Sequence, residues 1–188
     1  MSKILTFIFI LFFAYQVNAQ YEYATLILKD GTELKGQLKR RNFASSIKFK
    51  KNYNSEPTVY ETKELIGYNI DKTQYRFIVP NFNYTPVLTT LEKEGYYNLY
   101  KSTINYTSVA PAAGGFGGAG MGMSGTAIIY YISGPQGVFK LGKRLGNKKL
   151  KKYFNDCPDL LTKIKKKEIK KSQVKNIVEF YNTKCKSS

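Results

Sequence analysis

Residues 24–38 read ATLILKDGTELKGQL. Ala24, Leu26 and Leu28 alternate with Thr25, Ile27 and Lys29, and beyond Asp30-Gly31 the residues Leu34, Gly36 and Leu38 keep the same period of two. That period sends successive side chains to opposite faces of a strand, so each run has one face for a core and one for water. Asp-Gly accepts the backbone angles of a tight turn, and two alternating runs flanking it predict a β-hairpin.

Toward the C-terminus, short runs rich in β-branched and aromatic residues recur at 46–51, 58–62, 65–70, 75–79, 87–91, 96–106 and 126–133. Gly134-Pro135-Gln136-Gly137 marks a turn into a last run, 138–141. Short strands separated by polar turns predict an antiparallel β-barrel or sandwich within residues 20–141. Inside that segment, 110–125 (APAAGGFGGAGMGMSG) has neither charge nor period. Its glycine content predicts a mobile loop between two strands. Phe116, Met121 and Met123 are its large side chains and its candidate contact residues for a membrane or a partner. The GFGGAG at 115–120 fits G-x-G-x-x-G, but a dinucleotide fingerprint follows a strand closely and opens a helix. Here Pro111 precedes it and a strand run follows, so no cofactor is expected.

From Gly146 the period becomes helical. Leu150, Tyr153, Phe154 and Cys157 fall at i, i+3, i+4 and i+7, and Leu160, Leu161 and Ile164 form a second apolar stripe. Pro158 suits the first turn of a new helix capped by Asn155 or Asp156. A third stripe, Val174, Ile177, Val178, Tyr181 and Cys185, follows Ser172, a candidate cap. Residues 142–188 therefore predict a basic tail of three short helices packed on the strand domain. The fold class is α+β: an antiparallel β-barrel or sandwich followed by a short C-terminal helical tail.

Cys157 and Cys185 each sit one turn from apolar neighbours, on the buried face of their helices. If those helices run antiparallel with a turn near 168–172, the start of one meets the end of the other and the cysteines face each other. A lone facing pair in an oxidising compartment predicts a disulfide.

The compartment follows from residues 1–20, MSKILTFIFILFFAYQVNAQ. One lysine, an apolar run from Ile4 to Tyr15 interrupted by Thr6, and small residues at Val17 and Ala19 form the three parts of an export signal cleaved after Ala19. The run falls short of the roughly twenty residues that cross a bilayer as a helix. No cysteine follows it to carry a lipid, and no later apolar stretch is long enough to span. The expected product is an exported chain beginning near Gln20, periplasmic, outer-envelope associated or secreted.

The chain has 30 Lys plus Arg against 13 Asp plus Glu and no histidine. From Lys140 onward there are 16 bases and only four acids, Asp156, Asp159, Glu168 and Glu179, so the positive charge is concentrated in the tail. The helical register turns Lys163, Lys165, Lys166 and Lys167 away from Leu160, Leu161 and Ile164, giving a candidate anion-binding face. Only Arg40, Arg41, Arg76 and Arg144 are arginine, so the planar fork that reads phosphate and bases is scarce and nucleic acid is not the expected partner.

Without histidine, imidazole-based serine or cysteine hydrolysis is excluded, and with it nearly all zinc chemistry. Neither G-x-S-x-G nor the phosphate-loop pattern occurs. Asp71, Glu92, Glu94, Asp156 and Asp159 are the carboxylates from which a two-acid hydrolase would have to be built, but their spacing singles out no pair. An outer-membrane barrel is disfavoured by the short strands and the lysine-rich end. Asn83-Tyr84-Thr85 and Asn105-Tyr106-Thr107 are glycosylation sequons, relevant only in a eukaryotic source.

The strand-DG-strand segment ATLILKDGTELKGQL, the run IIYYI, and YFNDCPDLLTKI with VEFYNTKC together resemble a group of small, uncharacterised exported bacterial proteins. The resemblance implies a strand-rich N-terminal part and a Cys-containing helical tail, and no activity. The first hairpin alone resembles small SH3-like or Sm-like barrels. The functional expectation is a non-enzymatic envelope or secreted protein acting as an interaction or structural module. Its alternatives are an anion- or polysaccharide-binding module using the basic tail, and a hydrolase working with carboxylates alone. An anionic envelope component or another envelope protein is the expected kind of partner.

Overall fold

The computed structural model describes residues 21–39, 45–82, 84–109 and 122–186. The chain divides at Asp71 and Lys72 into two compact units, a boundary that falls inside the strand-rich segment 20–141.

The first unit holds five antiparallel strands: β1 (Glu22–Leu28), β2 (Glu33–Lys39), β3 (Ser46–Lys50), β4 (Thr58–Glu61) and β5 (Leu65–Ile70). They lie in the order β5-β1-β2-β3-β4. Leu26 pairs with Leu34 and Ala24 with Gly36, so the alternation of ATLILKDGTELKGQL becomes one buried face. The Gly31 N–H donates to the Leu28 carbonyl, Gly31 has φ 87°, and the Leu28 N–H closes on the Thr32 carbonyl at 2.9 Å. This is the three-residue hairpin with a left-handed third residue, wider by one residue than a two-residue Asp-Gly turn. The Thr32 N–H bonds the Asp30 carboxylate at 2.8 Å and holds its pKa below the usual aspartate value. Ala24, Leu26, Leu38, Ile47, Phe49, Leu65 and Tyr68 form the buried set. Gly36 is dictated by packing, because a Cβ there would land on the Lys50 carbonyl of β3.

The second unit contains β6 (Thr73–Ile78), β7 (Val87–Lys93), β8 (Asn98–Val109), β9 (Gly122–Gly134) and β10 (Gly137–Lys140), in the order β10-β9-β8-β7-β6. Then come α1 (Asn147–Phe154), α2 (Pro158–Lys165), α3 (Val174–Phe180) and a final π-helical turn, Tyr181–Cys185. Leu99 pairs with Ile132 on the face that the helices cover. The helices bury Leu150, Phe154, Leu160, Ile177 and Val178 against that face. One rung along, Tyr100 pairs with Tyr131 and turns the other way to meet Ile78. The Gly134–Gly137 turn forms as expected and is held by Asn81, whose side chain accepts from the Val138 N–H and donates to the Gln136 carbonyl.

The α+β class, with antiparallel strands followed by a short helical tail, is as the sequence predicts. The strand order in each unit is open, so the closed barrel is not the form adopted. Three local expectations are corrected. Strand β9 starts at Gly122 rather than Thr126, because backbone pairing to Val109 needs no side-chain period. Helix α2 is capped by Cys157, with Pro158 in its first turn and no side-chain cap bond. Asn155 closes α1, and Asp156 is held by other partners. Helix α3 is preceded by Gln173, not Ser172; the Gln173 side chain instead accepts from the Lys170 N–H at 2.7 Å.

Candidate functional site

The tail is held in shape by groups far apart in sequence. Cys157 enters α2 and Cys185 ends the π-helical turn; they form a disulfide with Cα atoms 5.7 Å apart. The chain's return through α3 and the π-helical turn brings Cys185 back to Cys157. For a separation of 28 residues the loop-entropy estimate of the bond's contribution is about 3.5 kcal/mol. Beside it the Tyr181 hydroxyl lies 3.0 Å from both carboxylate oxygens of Asp156, and Lys186 Nζ lies 2.8 Å from Oδ2. The bond from Lys186, opposed by partial desolvation and joined by that from Tyr181, lowers the Asp156 pKa. Burial, then the hydrogen bond to anionic Asp156, raises that of Tyr181. The Tyr181 ring stacks on Tyr97 and meets Phe154 edge-on, with centroids 5.3 and 5.0 Å away.

Asn182 fastens this end to the β7–β8 turn. Its side-chain oxygen accepts from the Tyr97 N–H at 3.0 Å and its amide donates to the Tyr97 carbonyl at 2.9 Å. Gly95, at φ 151°, lies under that amide, where a Cβ would collide with it. Helix α3 is tied to β7 by Lys175 with Glu92 (2.8 Å) and by Glu179 with Lys93 (2.6 Å). Partial burial pushes the Glu92 pKa up, but Lys175 and Lys101 outweigh it and the net shift is downward.

These pairs decide which cations remain free. Lys163 is joined to Glu168 at 2.7 Å. Lys165, Lys166 and Lys167 are exposed, and none of the described acids pairs with them. They sit where α2 stops: the Lys167 N–H donates to Ile164 O and the Glu168 N–H to Lys163 O. That is a Schellman ending, which places Lys167 in the left-handed region at φ 64°. Glycine is the favoured residue there, and a side chain costs about 1 kcal/mol.

The other candidates are dispersed. Phe116 and Met121 lie outside the described residues; Met123 belongs to β9, and its side chain is likewise outside them. Glu92 and Asp156 are engaged in ion pairs. An open depression of about 290 Å³ in the first unit is lined by Tyr23, Thr25, Lys35, Asn69 and Asp71, with Asp71 its one carboxylate. Among the described residues no group of three His, Cys, Asp or Glu could hold a metal, and no helix is long and apolar enough to cross a membrane.

No family model, curated protein or solved structure matches this chain. The strand-rich N-terminal part and disulfide-bonded helical tail implied by the resemblance are both present. Sequence reasoning reached the cysteines and the lysine run but missed Tyr181–Asp156–Lys186 and the Asn182 clamp. A polar residue inside an apolar stripe, Asn182 directly after Tyr181, is the signal that could have found the clamp.

Proposed function

We propose that this protein is an exported, non-enzymatic interaction module that holds an anionic component of the cell envelope at the lysine end of α2. The observation that carries the reading is the state of Lys165, Lys166 and Lys167. Three exposed cations stand together on a turn closed by a Schellman ending and make no ion pair with a described acid, the adjacent Glu168 being bonded to Lys163 and acting on Lys166 only at longer range. A lysine occupies a left-handed position where glycine would be more stable, and local strain of that kind is found at binding sites. Ordinary helix-dipole stabilisation accounts for cations at a helix end, but not for the choice of lysine at position 167. Residues 1–19 supply the export reading, and lysine's compact charge suits a screened, non-specific anionic surface.

The test is binding to phosphatidylglycerol vesicles and, separately, to alginate, at 50 and 300 mM salt. Changing Lys165, Lys166 and Lys167 together to glutamine should weaken binding by about 3 kcal/mol, on the order of a hundredfold, at low salt. Lys163→Gln, which removes an already paired charge, should change it little. Equal binding by the triple variant and the wild type would end the proposal, and the ligand that responds identifies the source of the anion.

A further inference from the structure

Residues 102–139 contain no charged side chain, in a chain that is 23% charged with a net charge of +17. The described residues of that segment are the outer part of β8, all of β9 and most of β10. Near the helices these strands have neighbours. The register of β7 with β8 ends at Thr90↔Lys101, where Ser102 still bonds Leu88 O, and that of β10 with β9 ends at Lys140↔Tyr131. Beyond this, six rungs from Ile104↔Ala127 to Val109↔Gly122 continue with no third described strand in register, a two-stranded ribbon about 17 Å long.

The ribbon has two faces. Ile104 and Tyr106 lie on one, exposed by 37% and 51%, and the Tyr106 ring covers Gly125 of the opposite strand. Asn105 and Thr126 lie on the other, joined by a 3.1 Å hydrogen bond. Both edges carry backbone groups unpaired by any other described strand. A two-stranded ribbon is marginally stable in water, and an exposed uncharged edge is a template for another strand. The end strands β4 and β10 show the usual protection: they have four residues each and end on Glu61 and Lys140. The ribbon is longer and has no charge.

We propose that the ribbon edge pairs with the same edge of a second copy of this chain, extending the sheet across a twofold axis. Charge selects the occupant. Two copies of a +17 chain repel wherever their lysines approach, and the ribbon lets their backbones meet without bringing lysines together. Identical edges pair antiparallel about a twofold axis, the commonest closed symmetry. The tyrosine-and-isoleucine face would be partly covered, and the Asn105–Thr126 face would stay in water.

Salt separates this inference from the anion-binding proposal. Screening weakens lysine attraction to an anion but weakens repulsion between copies too, so self-pairing should strengthen as salt rises. The experiment is sedimentation equilibrium of the full chain, recovered from an exporting host, from 1 to 100 μM at 50 and 300 mM salt. The wild type should dimerise, more tightly at high salt. Thr103→Lys with Asn105→Lys, which puts protecting charges on the ribbon, should weaken dimerisation at least tenfold while the thermal midpoint of the body is retained. A wild type monomeric at 100 μM in both salts would overturn the proposal, as would a double variant that associates equally well. Ribbon-dependent flotation of a monomeric wild type with uncharged phosphatidylcholine vesicles would also overturn it and assign the ribbon to a bilayer.

Discussion

Strands β8 and β9 are continuous, yet their two ends are physically different regions. At the helix end, Leu99 and Ile132 are fully buried beneath α1, α2 and α3, and Tyr97 is locked between Phe154 and Tyr181. At the ribbon end the same two strands expose Ile104 and Tyr106 and, among the described residues, pair only with each other. β8 and β9 pair with each other along their whole length, so their own ladder does not set the difference; the flanking strands β7 and β10 and the covering helices at one end do. The difference also separates the roles proposed for them, a rigid tail presenting charge and an uncharged edge open to a partner.

The largest effect should come from cutting into the covered end. Phe154 is fully buried and touches both Tyr97 and Tyr181, so Phe154→Ala should cost about 3–5 kcal/mol. Tyr106→Ala at the open end should cost less than about 1 kcal/mol, because it removes one cross-strand contact. Chemical denaturation of both variants checks the contrast, and equal losses would break it.

A second, smaller effect is the pH response of the Tyr181–Asp156–Lys186 clasp beside the disulfide. Asp156 has a lowered pKa, so its stabilisation is present above the ordinary aspartate value and is lost as pH falls below about 4. Tyr181 has a raised pKa, so its contribution is complete below the ordinary tyrosine value and is lost as pH climbs above about 10. Thermal midpoints should therefore fall on both flanks, and Tyr181→Phe should flatten the alkaline one. An unchanged alkaline limb in Tyr181→Phe would show that the clasp does not anchor the covered end.

The smallest expected change has an unusual sign. Lys167→Gly should raise stability by about 1 kcal/mol, since glycine takes a φ of 64° without strain, while weakening vesicle binding severalfold. A gain in stability with no loss of binding would make Lys167 an accident of composition.

Much of this was legible along the chain. Alternation about Asp30-Gly31 gave the first hairpin, and the stripes through Leu150, Leu160 and Val174 gave the three helices, because burial on one face imposes its period on the sequence. Two cysteines allow one intramolecular pairing, and helical register made it geometrically consistent. The start of β9 at Gly122 was hidden, since glycine carries no periodic signal. The helix caps were misplaced: Asp156 has other partners than the start of α2, and α3 begins one residue later than expected, after Gln173 instead of Ser172.

The sequence by itself determined the element types, the position of the disulfide and the concentration of charge in the tail, all of which follow from local period or from counting. Tertiary structure alone decided that Lys163 is paired with Glu168 while Lys165, Lys166 and Lys167 form no ion pair with a described acid, and that Asn182 holds the tail to the β7–β8 turn while Tyr181 bonds Asp156. It also decided that the outer parts of β8 and β9 have no third strand among the described residues. Each of these depends on which side chains or backbone edges meet after the chain has closed on itself, and such meetings, some of them more than eighty residues apart in sequence, leave no mark in the local pattern.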